Sequence, residues 1–432
     1  MISRDPLRLI SGPALERPDL ERQAAALLEA WRAGRAVALA AAAEQQRLAE
    51  ALAGHGFDGP GVVLGSGGSS GARRWLWQPL AHLEASARAC GRWLAAEGVD
   101  PGAALLLNPL PLHHVSGLLP LLRAQLWGAR HRFLAASQLR DPQRLAAEPL
   151  PAGRPVLLSL VPLQLQRLLA VPEAVDWLRG CRVIWLGGAA LPADLAAAAR
   201  RQGLPLAPCY GATETAAMVT ALSPQRFLEG AAGCGPPLED VALRLGGAAD
   251  PAARAVEVRC QRLACGWLER GRLRPLPGLA QGWWRSGDAG VLEADGLRIL
   301  GRLDGAILSG GETVFPEQLE ARLLAQARRL ELPLAAVLLL GWPESGWGER
   351  LVALVRPEEG ADPEALLAVL AALTAAWPAA ERPRRWQLCP PLAASAAGKW
   401  ERRRWRQWLE QEWGEPQSRE LGGAEPPRPA QR

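Results

Sequence analysis

Among the 49 basic residues of this 432-residue chain only one is lysine, Lys399, and against 18 tryptophans there is only one tyrosine, Tyr210. Arginine can replace a generic surface cation but not a compact ammonium used as a point charge, so the retained lysine is a candidate functional residue. The seven cysteines (Cys90, Cys181, Cys209, Cys234, Cys260, Cys265 and Cys389) are odd in number and contain no C-x-x-C pair. That argues against a zinc site or a disulfide framework and for a reducing, cytoplasmic setting. Long apolar runs are also missing. The long uncharged stretch over residues 102–122 contains Pro109, Pro111, Pro120 and two histidines, so no membrane-spanning helix is expected from it. The first residues, MISRDPLRLISGPALERPDLERQ, carry charges throughout and have no signal-peptide core. Net charge is only +5 and no segment concentrates it, so nucleic acid is not an expected partner.

What is present describes a globular protein. Hydrophobic residues make up 49% and charged residues 22%, which excludes a disordered chain. The length exceeds what one core usually supports, so more than one domain is expected. Residues 1 to about 55 read as Ala/Leu-rich helices. Short apolar runs at 61–64, 104–110, 155–161 and 182–188 then alternate with amphipathic segments, predicting a largely parallel α/β core. From 233 to 302 the texture changes to short strands with Gly and Pro turns, an antiparallel β subdomain. A smaller α+β domain follows, with helices at 316–330 and 362–377. The expected division is a large domain over 1–302, a small mobile domain over 303–412 and a frayed tail over 413–432.

Several loops carry candidate chemistry, each with a plainer alternative. The segment Ser66, Gly67, Gly68, Ser69, Ser70, Gly71 follows an apolar strand; its N–H groups and hydroxyls suit a polyphosphate, and equally a flexible linker. In Tyr210, Gly211, Ala212, Thr213, Glu214 the ring suits a base, the hydroxyl a phosphate and the carboxylate Mg2+. The same residues suit a capped helix start. Ser286-Gly287-Asp288 and Arg302-Leu303-Asp304 flank a hairpin signal, Asp295-Gly296. There a carboxylate and a guanidinium suit ribose hydroxyls, or simply close the hairpin. Gly310-Gly311 and Gly398-Lys399 complete the set.

Taken in this order, over residues 60 to about 405, these motifs resemble the adenylate-forming superfamily of acyl-CoA synthetases, nonribosomal adenylation domains and luciferases. The resemblance implies a phosphate loop at 66–74, with Gly67 in place of a serine and Arg73-Arg74 in place of Pro-Lys. It implies an acyl-pocket motif at 111–117 with His114 as its histidine. Gly187, Gly188 and Ala189 are implied to form the adenine loop, with Tyr210 and Gly211. Asp288 and Arg302 are implied to hold ribose, and Asp304 to be a hinge. Gly310 and Gly311 are implied to line a thiol tunnel, and Thr213, Glu214 and Lys399 to serve catalysis, with Glu214 on Mg2+.

The activity implied by the resemblance has two halves. A carboxylate attacks the α-phosphorus of ATP and expels pyrophosphate. Rotation of the small domain about Asp304 then withdraws Lys399 and admits coenzyme A. The stretches PLHHVSGLLPLLRAQLWGA, VPLQLQRLL and WLGGAALP look most like the o-succinylbenzoate–CoA ligases of menaquinone and phylloquinone biosynthesis. That acid keeps one carboxylate charged, for which Arg123 is the candidate partner; a solvated helix position is its plainer reading. Three rivals stay open: another aryl- or acyl-CoA ligase, an adenylate-forming enzyme serving a carrier protein, and a nucleotide-binding relic. The implied partners are small molecules (an acid, ATP and CoA), with self-association left open.

Overall fold

The computed structural model describes residues 5–11, 16–67, 74–247, 254–394 and 400–414. Two compact units divide the chain, Met1–Ala306 and Ile307–Arg432. Within the first, the apolar runs at 104–110, 155–161 and 182–188 become the strands Leu105–Asn108, Val156–Leu160 and Val183–Leu186, and Leu206–Ala212, which takes in Tyr210 of the segment read as a loop, is a fourth. They pair in parallel, and a sheet of six described strands runs from Arg130–Phe133 to Ala217–Ala221, the last strand antiparallel. Both faces of this sheet are covered, which is why its strands read as near-continuous apolar runs rather than alternating ones. Leu158, Ile184 and Leu186 belong to one buried cluster. Leu157, Val183 and Trp185 belong to another on the opposite face.

The run at 61–64 does not join this sheet. It forms Gly61–Ser66, paired in parallel with Ala36–Ala41 and antiparallel with Arg74–Pro79. Two strands, Leu7–Ser11 and Ala36–Ala41, lie in the N-terminal region that reads from sequence as helical; its helices are Arg17–Arg32 and Gln45–Leu52. Alanine is a poor strand former by itself, but Ala36, Ala38 and Ala40 are buried against Leu48 and Val63. Tertiary packing overrides local preference there. The antiparallel subdomain is as expected: Ala242–Gly246, Ala255–Arg259, Trp283–Glu293 and Gly296–Arg302 pair in succession.

The second unit is α+β. Leu334–Glu344 and Gly348–Pro357 form a hairpin, Arg385–Leu388 pairs in parallel with the latter, and Pro316–Arg329 and Pro363–Thr374 are its helices. A further helix, Arg402–Trp413, packs Trp405 and Leu409 against Leu338, Leu340 and Val352. The fold class is therefore the one expected: an α/β and β large unit, and an α+β small one. Among the described residues no helix is long and apolar enough to cross a membrane.

Candidate active site

Tyr210 stands near the end of strand Leu206–Ala212, where the parallel sheet gives way to its antiparallel edge. Its hydroxyl donates to Asp288 Oδ2 at 2.6 Å. Burial pushes the phenol well above its ordinary value, and the Asp288 charge adds to that, so the hydroxyl stays a donor at any working pH. Asp288 belongs to strand Trp283–Glu293 and lies directly opposite Arg302 in the hairpin. Arg302 Nη1 donates to Asp288 Oδ1 at 3.1 Å and to the Ser286 carbonyl at 3.3 Å. Its Nε and Nη2 donate to the two carboxylate oxygens of Asp304, at 3.1 and 3.2 Å. Burial works against this guanidinium, but Asp304 and Asp288 outweigh it and hold the proton above the usual arginine range. Tyr210 and Asp288, 78 positions apart in sequence, thus belong to one polar chain, Tyr210–Asp288–Arg302–Asp304.

Glu214 is the middle residue of a single 3-10 turn, Thr213–Thr215, which directly follows the strand that carries Tyr210 and is capped at Ala212, where the backbone N–H donates to Thr215 Oγ1. Burial raises its carboxyl above the usual range; hydrogen bonds from its own backbone and from Ser66, and the Arg302 and Arg74 charges, oppose the rise. Ser66, the first residue of the glycine-rich loop, is buried beside it. Gly68, Ser69, Ser70 and Gly71 lie outside the described residues, as does Arg73. Gly211 has a steric reason to be glycine, since a Cβ there would come within 2.2 Å of the Ala217 carbonyl oxygen. Gly187 and Gly188 follow strand Val183–Leu186, and a Cβ on Gly187 would lie 3.1 Å from Cys209 Sγ. Ala189 is exposed just beyond them.

Arg123 is buried, with 4% of its surface exposed, on helix Val115–Trp127. Its guanidinium carbon lies 5.0 Å from the Trp185 ring centroid, its Nε has no hydrogen-bond partner, and no carboxylate among the described residues pairs with it. A solvated helix position is therefore excluded. Its charge reaches Cys209, the neighbour of Tyr210, where burial nonetheless pushes the thiol up to about 12. His114 occupies the N-cap of the same helix, its ring 4.5 Å from that of His113.

In the second unit Gly310 and Gly311 make the turn between Ile307–Ser309 and Glu312–Val314, both with left-handed backbone at φ +59 and +86. A Cβ on Gly310 would come within 2.6 Å of the Trp347 ring, so the turn requires glycine twice over. Lys399 lies outside the described residues.

Two polar residues of the site carry no motif. Asn108, the chain's single asparagine, is fully buried, donates to the Gly117 carbonyl at 2.7 Å and accepts from Leu110 N. It pins the segment before His114, and the rarity that marks Lys399 could have marked it. Gln78, fully buried, donates to the Thr213 carbonyl at 2.9 Å. Nothing in its local sequence signals that contact, which spans 135 positions.

The family profile described as AMP-binding enzyme matches residues 79–255. The chain is similar to 2-succinylbenzoate–CoA ligases. It is 32% identical to that of Geobacillus kaustophilus over 60% of this chain and 52% of the relative. It is 31% identical to that of Escherichia coli K12 over 71% of this chain and 60% of the relative. The chain thus spans about half to three fifths of the length of these relatives. The fold matches o-succinylbenzoate CoA synthetase from Bacillus subtilis in complex with the acyl-adenylate intermediate OSB-AMP. The TM-score is 0.73 at 19% identity, covering 94% of this chain and 89% of the other. Wild-type E. coli MenE with a bound m-phenylether-linked analogue of OSB-AMS gives a TM-score of 0.57 at 27% identity, covering 81% and 69%.

Proposed function

We propose that this chain is an ATP-dependent acid–CoA ligase that works through an acyl-adenylate, with 2-succinylbenzoate as the acid. The observation that carries the substrate is Arg123. A buried guanidinium with no carboxylate partner is costly unless a ligand supplies the anion. An acid with two carboxylates, one activated and one left charged, supplies it. Relatives named 2-succinylbenzoate–CoA ligase support the same choice.

Adenylation begins when a substrate carboxylate oxygen forms a bond to the α-phosphorus and the bond to pyrophosphate breaks. Asp288 would accept from the ribose hydroxyls, with Arg302 and Tyr210 holding its two oxygens in place. Gly187, Gly188, Ala189 and the Tyr210 ring would receive adenine, and Ser66 through Gly71 the outer phosphates. Among the described residues no three His, Cys, Asp or Glu side chains cluster as a self-sufficient metal site. One carboxylate is nonetheless what Mg2+ needs when phosphates and water supply its other ligands, and Glu214 fits that. Bound there, Mg2+ would neutralise phosphate charge. Thr213 and His114 would position the reacting groups, and Lys399 would stabilise the charge that develops between carboxylate and phosphate.

In the second half the CoA thiolate sulfur bonds to the acyl carbon and AMP leaves. Asp304 is the proposed hinge between the half-reactions, and Gly310 and Gly311 the proposed passage for the thiol. The cysteine pattern favours a cytoplasmic setting. Pyrophosphate release across a panel of carboxylic acids tests the reading. The expected result is release with 2-succinylbenzoate far above benzoate and fatty acids. Equal release with all of them removes the substrate assignment and leaves the acid–CoA ligase class.

A further inference from the structure

The turn that carries Glu214 is held in a conformation its own sequence disfavours. Ala216 and Ala217 are consecutive left-handed residues, at φ +52 and +77, although each carries a Cβ. What compensates is a set of donors that meets every carbonyl from 213 to 218. Gln78 Nε2 donates to Thr213 O, and Ala264 N to Glu214 O at 2.8 Å. Ser86 Oγ donates to Ala216 O at 2.5 Å, and Thr215 Oγ1 to Ala217 O at 2.6 Å. The remaining two carbonyls belong to one side chain. Arg262 Nη1 donates to Thr215 O at 2.6 Å and its Nη2 to Met218 O at 3.0 Å.

Arg262 is fully buried, and Asp240 balances its charge through Nε–Oδ2 at 2.7 Å. Its Nη1 also lies 3.3 Å from Ser86 Oγ, so the two donors brace each other. The fork spans the left-handed pair, gripping the carbonyl just before it and the one just after. A lysine ammonium could neutralise Asp240 but could not present planar, diverging donors to two carbonyls.

We propose that Arg262 is a positioning residue for metal-assisted nucleotide binding: by clamping Thr215 O and Met218 O it sets where the Glu214 carboxylate stands. The inference rests on the reading of Glu214 as the Mg2+ carboxylate. Nothing in the motifs of this chain assigns Arg262 a part in that site.

The test is ATP binding to the full chain, followed by calorimetry with and without MgCl2, which requires no turnover. Arg262→Lys is expected to weaken Mg2+-dependent ATP binding about tenfold, since displacement of a reacting group by on the order of 1 Å costs up to ~100-fold. ATP binding without Mg2+ should be unchanged. Ser86→Ala, a minimal change that keeps the fold, is expected to act in the same direction by about threefold, as one neutral hydrogen bond is lost. Leu178→Ala, a core cavity in helix Pro172–Arg179, serves as the destabilised control and should lower Tm without touching the Mg2+ dependence.

Glu214→Gln separates the two ideas. If it leaves Mg2+ dependence intact, the metal reading of Glu214 falls and this inference with it. If Glu214→Gln weakens Mg2+-dependent binding while folded Arg262→Lys and Ser86→Ala do not, only the role of Arg262 is overturned. Should Arg262→Lys fail to fold, Ser86→Ala decides alone.

Discussion

The Tyr210 hydroxyl donates to Asp288 Oδ2 at 2.6 Å, and this bond joins the end of the parallel sheet to the antiparallel subdomain. It leaves Oδ1 to Arg302 and fixes the plane of the carboxylate. Tyr210→Phe keeps the ring and removes the donor. The expected outcome is a KM for ATP raised about fivefold, near 1 kcal/mol, with kcat changed less. A KM within twofold of the parent in steady-state pyrophosphate release would show that the bond does not orient Asp288 for nucleotide.

Glu214 makes a prediction about stability with a definite sign. Burial raises its folded-state value above the ordinary 4.5, so the folded protein holds this proton more tightly than the unfolded chain does. Its contribution to stability is full below the ordinary value and is lost as pH rises through the raised one. Glu214→Gln, which stays neutral, should therefore raise Tm at pH 8 relative to the parent. The gain should shrink on acidification and vanish below about pH 4, where both side chains are uncharged. Thermal melts at several pH values check this. A pH-independent difference would contradict the burial argument.

Arg123→Leu removes the cation proposed for the second substrate carboxylate. KM for 2-succinylbenzoate should rise tenfold or more, about 1.4 kcal/mol or above, while the ATP dependence stays nearly unchanged. Because Arg123 is buried without a carboxylate partner, the same substitution should leave Tm equal or higher. Equal weakening of acid and ATP would point to a general distortion of the pocket instead.

Lys399 is the chain's single lysine, so its chemistry can be probed without mutagenesis as well as with it. Lys399→Ala should slow adenylation about a hundredfold or more, ~3 kcal/mol, and spare thioester formation from preformed acyl-adenylate. Amine-selective acylation should inactivate the protein, with ATP protecting. Equal loss of both half-reactions would remove Lys399 from the adenylation step.

Proline at Asp304 would lock φ where the hinge is proposed. Asp304→Pro removes the two hydrogen bonds that Arg302 donates to Asp304 but leaves those of Arg302 and Tyr210 to Asp288, so it should still form acyl-adenylate while transferring it poorly to CoA. Single-turnover measurement of each half-reaction decides it. Undiminished overall turnover would show that no rotation occurs at this residue.

Local chemistry already determined a good deal in the sequence. Apolar runs such as 155–161 and 182–188 read as strands buried on both faces, and the strands Val156–Leu160 and Val183–Leu186 are that. The Asp295-Gly296 pair specifies a hairpin, and Arg302 ends up opposite Asp288 as a consequence of that register. The lone Tyr210 and Lys399 stand out by rarity alone. Tertiary structure decided the rest. Only pairing across the sheet made Ala36–Ala41 a strand and placed Gly61–Ser66 in a different sheet from the other apolar runs. Only packing turned Arg123 from a helix-surface cation into a buried one stacked on Trp185. Arg262 is the clearest case. In sequence it is one of 48 arginines (49 basic residues less Lys399), and its contact with Thr215 spans 47 positions. Periodicity and motif spacing report interactions within a few residues, whereas a buried fork's partners are chosen by how distant strands and helices pack.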